Sequence, residues 1–218
     1  MFVKTLRSLF QFVLFVFPSV CLGQWSSQVG LNFAPLISKS LEINSEFSRH
    51  AAFSLNANFG YTFKTAYTGQ DFRKVHDGVY DRITSGAFGK AGLKFYPANL
   101  SGTPGKTNFY VGVFLIVSQY KQTAMRTMLE SSYWPSPQVA VTAKGVTYCP
   151  AVTIGFTRNM GNHLALDWGL QRSFVYREDF IGRPRNNYQP GAGSYLFADV
   201  LGYLQGILSV KYRFASRQ

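Results

Sequence analysis

Cysteine is nearly missing from this chain of 218 residues, which has only Cys21 and Cys149. No disulfide framework can therefore hold it together, and a lone Cys149 reads as a small packing residue. Histidine is also scarce, with His50, His76 and His163 far apart and in no metal-ligating spacing. Acidic residues number 10 against 22 lysines and arginines, a net charge of +12. Past the N-terminus no apolar run approaches the roughly 18–20 residues of a membrane helix. A glycine-rich phosphate cradle and a nucleophile elbow are absent too. These gaps argue against a cross-linked scaffold, a His/Cys metal centre and a helical membrane protein, and neither cofactor nor metal is expected.

The N-terminus has a pattern of its own. Lys4 and Arg7 precede an apolar stretch from Leu9 to Val20, and Cys21-Leu22-Gly23 lead into Gln24. A charged start, a short greasy middle and small or neutral residues predict a cleaved export signal over 1–23. The remaining 24–218 are then one domain outside the cytoplasm. Its basic excess prompts a nucleic-acid hypothesis, but export argues against that partner, and anionic lipid or glycan suits the charge better.

Aromatic residues make up 17% of the chain, and their arrangement is periodic. Strands have period two, so every second side chain shares a face. Over 53–63, Phe53, Leu55, Ala57, Phe59, Tyr61 and Phe63 alternate with Ser54, Asn56, Asn58, Gly60 and Thr62. Strict alternation of this kind does not fit a helix face. Similar patterns predict further strands over 25–36, 40–48, 84–96, 108–120, 144–158, 163–176 and 206–214. In 108–120 both faces are apolar near the middle, so either register is open there. Connections alternate as well: 49–51, 98–107 and 159–162 are short or moderate, while 65–83, 121–143 and 177–200 are long and polar. The first link, near 37–39, is short. Short turns at one end and long loops at the other predict an all-β, eight-stranded antiparallel up-and-down transmembrane β-barrel.

Two barrels compete for this pattern. A soluble ligand-binding barrel of the lipocalin type turns its apolar face inward; a membrane barrel turns it outward and fills the lumen with polar groups. The polar faces carry Glu42, Glu46, Lys90, Lys94, Asp167, Lys211 and Arg213 among Asn, Ser, Thr and Gly. Small polar residues suit a narrow lumen, and the charges are expected to pair across it, because an unpaired buried ion costs several kcal/mol. Aromatics near strand ends suit interfacial girdles. The membrane barrel is the better reading. With eight strands the lumen is normally filled by side chains, so a narrow pore is the alternative.

The ending Leu208-x-Val210-x-Tyr212-x-Phe214 resembles the terminal strand signature of Gram-negative outer-membrane barrels. The resemblance implies that Tyr212 and Phe214 form a signal for the barrel assembly machinery, although four residues follow the final Phe. The stretch from Leu41 to Phe63 is similar to the second hairpin of small outer-membrane β-barrel families of the Bacteroidetes type, with a Glu ending strand two, a tight turn and a Gly-Tyr strand. That implies a barrel architecture and an outer-membrane address, and it names no activity; a monomer is the separate expectation.

Some eight-stranded barrels are enzymes, among them lipid A deacylases and palmitoyl transferases, which resemble this architecture. They need His beside Ser with an orienting carboxylate. His163 shares a predicted face with Asp167, but no Ser accompanies them, so no enzymatic activity is expected. The loops are richer. Arg172, Arg177, Arg183 and Arg185 crowd the last one, and arginine forks suit phosphate and carboxylate. Contact with lipopolysaccharide phosphates or surface glycans is the expectation for them.

Overall fold

The computed structural model describes residues 26–50, 52–66, 79–98, 103–127, 138–175, 188–197 and 202–214. Its strands are β1 (Ser26–Asn32), β2 (Ser40–His50), β3 (Phe53–Ala66), β4 (Val79–Phe95), β5 (Thr107–Thr127), β6 (Gln138–Asn159), β7 (Leu164–Ser173), β8 (Tyr188–Gln189), β9 (Gly193–Phe197) and β10 (Gly202–Phe214). β1 to β7 pair antiparallel in chain order, β7 pairs with β10, and β10 returns to β1. The closing seam runs from Ser27 opposite Phe214 to Asn32 opposite Ser209. Eight strands thus form a closed antiparallel barrel, and closure leaves no free edge along the seam.

Alternation decides which side of the wall each residue takes. On β6, Thr147, Cys149, Ala151, Thr153 and Thr157 are buried inside, while Val146, Tyr148, Val152, Ile154 and Phe156 stand exposed outside. On β3, Phe59 is 64% exposed while its near neighbour Asn56 is 2% exposed. The greasy side chains point away from the axis and the polar ones toward it. In β5, Val111, Val113, Leu115 and Val117 face out, and Tyr110, Phe114 and Ile116 face in. Phe114 and Ile116 join Cys149, Ala151 and Ala192 in the one apolar cluster that the lumen holds among the described residues.

Several boundaries differ from the sequence expectation. The first strand stops at Asn32, because Pro35 enters a short 3-10 turn, Ala34–Ser38, that ends on Lys39 in the left-handed region (φ 49°). Asn32 secures that exit by accepting from the backbone N–H groups of Ala34 and Leu208. β5 and β6 run to 21 and 22 residues, well into the stretch expected as a loop over 121–143. Their unbroken register, ending with Thr127 opposite Gln138, carries the hairpin beyond the top of β7. Aromatics gather at the short-turn end: Phe53 with Phe95, Phe109 with Phe156, and Phe156 with Trp168, at centroid separations of 5.0, 5.5 and 5.8 Å.

Candidate functional site: a charge-neutral, plugged lumen

Inward positions of β2, β4, β7 and β10 converge near the short-turn end. Lys94 Nζ lies 3.1 Å from Glu46 Oε2 and 2.8 Å from Asp167 Oδ2. Lys211 Nζ contacts the same two oxygens. The other carboxylate oxygens are also satisfied. Ser54 Oγ (2.6 Å) and the Tyr96 hydroxyl donate to Glu46 Oε1, and Thr157 Oγ1 donates to Asp167 Oδ1 at 2.7 Å. Lys94 also sits 4.1 Å above the ring of Tyr110. Full pairing with extra hydrogen bonds is the condition under which buried ions are tolerable.

A second layer lies four residues further along the same strands. Glu42 follows Glu46 upward, Lys90 follows Lys94, and Gln171 follows Asp167; at ~3.3 Å per residue the layers are about 13 Å apart along each strand. Lys90 Nζ donates to Glu42 Oε2 at 2.9 Å, to Gln171 Oε1 at 3.0 Å and to Gln205 Oε1 at 3.2 Å. Asn58 and Gln205 also donate to the Glu42 carboxylate, at 2.9 and 3.1 Å. Three carboxylates thus meet three ammonium groups, and this part of the lumen is electrically neutral. Between the layers lies a cavity of ≈ 20 Å³, room for about one water. Asn44, Asn58, Thr153 and Tyr110 each turn a polar atom without a protein partner into its lining.

Above these layers the lumen is filled by backbone. The segment 177–200 is an external loop by sequence, yet its described part, 188–197, folds into the barrel mouth. β9 pairs with the top of β10, β8 pairs back onto β9, and residues 188–194 are all buried. Barrel side chains hold its carbonyls: Ser118 donates to Pro190 O at 2.6 Å, Gln171 to Gly191 O at 2.9 Å and Ser173 to Ala192 O at 3.0 Å. The Tyr188 hydroxyl bonds Ser40 Oγ at 2.9 Å, and the Gln189 amide donates to Thr147 and toward Cys149. Gly191 sits at φ 74°, and a Cβ there would come within 2.6 Å of the Phe88 ring. Only glycine fits that turn.

The remaining sequence expectations divide. Arg213 is brought to no carboxylate among the described residues. It is half-buried at the short-turn end, where its guanidinium donates to Asn159 Oδ1, because the position lies below the layer formed by Glu46 and Asp167. Arg172 stands on the outer wall near the top of β7, its guanidinium 5.0 Å from the Phe174 ring; Arg177, Arg183 and Arg185 lie outside the described residues. Tyr212 and Phe214 face outward on the last strand with rings 5.3 Å apart. His163 and Asp167 do not share a face. β7 begins only at Leu164, so the alternation does not reach His163, and its ring stacks on Tyr212 while Asp167 points inward. That separation leaves no acid–base pair there. Missed by sequence reasoning were Tyr96, Tyr110 and Gln205 as members of the networks, and the whole plug. Gln205 lies one residue before the expected last strand; only its even spacing from Lys211 hinted at an inward position.

Among solved structures, the chain is similar to the N-terminal β-barrel domain of Pseudomonas aeruginosa OprF, with 10% identity, TM-score 0.49, and coverage of 88% of this chain and 98% of that one. It is also similar to a major outer membrane protein from Thermus thermophilus, with 14% identity, TM-score 0.45, and coverage of 87% and 98%. No family model matches the chain, and no curated protein does.

Proposed function

We propose that this protein is an exported, integral outer-membrane β-barrel, monomeric and non-enzymatic, with a structural or surface-binding role. The observation that carries the reading is the outer wall. Large apolar residues stand 37% or more exposed on every wall strand, as with Val29, Ile43, Leu55, Leu93, Val113, Ile154, Leu170 and Val210. Soluble monomers rarely expose contiguous apolar patches beyond a few hundred Å². The inside-out distribution also disfavours a lipocalin-like carrier, whose apolar face would enclose a ligand.

The lumen favours a plug over a pore. Two salt-bridged layers and an inserted hairpin occupy it in succession, and every carboxylate in those layers is already matched by a cation. Such a barrel presents its loops and outer wall to its surroundings. The arginine-rich sequence of Arg172, Arg177, Arg183 and Arg185 supports contact with lipopolysaccharide or glycan, and Tyr212 and Phe214 suit recognition by the barrel assembly machinery. The test is extraction and gel mobility: the folded protein should need detergent and should shift in electrophoretic mobility on boiling. A chain that stays monomeric in detergent-free buffer with native strand content would refute the membrane reading.

A further inference from the structure

The outer wall is not uniformly rough. On β4 three successive outward residues, Ala87, Gly89 and Ala91, are small, while Phe59 rises beside them on β3 and Leu115 and Val117 rise on β5. They line an open, shallow apolar groove of about 490 Å³ on the outside of the barrel. Packing does not require its floor to be so low. A Cβ at Gly89 would meet the Phe59 ring at 3.7 Å, ordinary contact, whereas one at Gly60 or Gly92 would be driven to 2.2 Å from its neighbours. Glycine inside a strand weakens it and often marks a place where something else approaches the backbone.

The upper end of the same groove changes character. Ala87 lies opposite Gln119, the next outward position Ser85 lies opposite Lys121, and Lys121 lies opposite Lys144 on β6. Both lysines are exposed on the outward face, and no ion pair among the described residues engages either. Like charges directly opposite across a strand pair repel, so an anion between them would relieve the pair. Lys144 is one outward position above Val146, the highest large apolar residue in the outward-facing set of β6 (Val146, Tyr148, Val152, Ile154, Phe156). In a tilted strand that is about 5 Å along the axis, the level at which a lipid's head group begins. Long lysine stems can reach along apolar surface and still keep their charge in the polar layer.

We propose that the groove and the lysine pair form one site for an anionic lipid, with an alkyl chain along Ala91, Gly89 and Ala87 and the head-group phosphate between Lys121 and Lys144. This rests on the membrane reading above. The site has two separable parts, a chain channel and a charge clamp, and each can be removed without touching the lumen.

The experiment uses the full chain inserted in nanodiscs of phosphatidylcholine and phosphatidylglycerol with identical acyl chains, followed by native mass spectrometry of the lipid that stays bound. The wild type should retain phosphatidylglycerol in preference. Lys121→Gln and Lys144→Gln should each cut that preference about fivefold, and Gly89→Leu, which fills the groove, should lower retention of both lipids. The boiling-dependent gel shift, unchanged in all three variants, would exclude misfolding. If the wild type inserts but shows no head-group preference, or the preference survives both lysine changes, the site is refuted and the membrane reading stands. If the protein does not insert at all, both fall together.

Discussion

Glu46 is the residue whose loss the lumen should tolerate least. Its two oxygens are divided by role: Oε1 accepts from Ser54 and Tyr96, and Oε2 accepts from Lys94 and Lys211. Glu46→Gln keeps the shape and removes the charge, leaving Asp167 as the one carboxylate between two buried ammonium groups. Breaking a buried pair by removing one partner costs about 3–5 kcal/mol. Asp167 still bridges both lysines, so the low end applies, about 3 kcal/mol, or roughly a 150-fold fall in the folded-to-unfolded ratio. The charge argument makes a second, sharper demand. Adding Lys211→Met restores neutrality, so the double variant should be more stable than the sum of the single changes by about 2 kcal/mol. Urea titration of vesicle-inserted protein, followed by tryptophan fluorescence, gives all four corners of this cycle. If Glu46→Gln costs less than about 1 kcal/mol, or if the two changes simply add, the charges are not coupled and the reasoning about a neutral lumen is wrong.

Three further outcomes follow from other parts of the barrel. Val113 stands 58% exposed in the middle of the apolar run on β5, so Val113→Arg should destabilise the vesicle-inserted protein by about 2–4 kcal/mol; a neutral result in the same titration would mean that no lipid covers that face. Gly191→Val cannot fit beneath Phe88, so it should lift the hairpin and expose Cys149, which is fully buried in the native lumen. In a Cys21→Ser background, maleimide labelling of folded protein should accelerate at least tenfold, and equal labelling rates would show that the hairpin does not guard the mouth. Phe214→Ala should reduce the yield of folded barrel in cells while changing the stability of protein refolded in vitro by no more than about 1 kcal/mol, the scale of its edge-to-face contact with Tyr212. Loss of both in proportion would make Phe214 a packing residue instead.

Most of the wall was legible from local pattern. The face taken by Leu55, Phe59, Leu208 or Val210 follows from period-two alternation, because a one-residue slip would invert every side chain in the strand. The charged positions were visible as polar residues interrupting those faces. Pattern failed where two signals agreed on the wrong answer or cancelled. The residues Gln189-Pro190-Gly191-Ala192-Gly193-Ser194 have the composition of an exposed turn, and nothing local says that a hole of matching size awaits them. In β5 both faces are apolar, so alternation could not choose a register. Tyr110 turns inward beneath Lys94, and Phe114 and Ile116 turn inward against Ala192 of the plug, contacts that exist only after the barrel has closed.

Sequence alone determined the strand count of the wall, the side taken by residues on strands with one apolar face and the charges that were candidates for the interior, because all three depend on neighbours one or two residues apart. Tertiary structure alone decided which lysine meets which carboxylate, that Arg213 stays out of the network, and that a hairpin near the end of the chain stoppers the mouth. Those depend on how strands far apart in sequence are staggered around the cylinder, a quantity fixed by closure of the whole sheet and carried by no single segment.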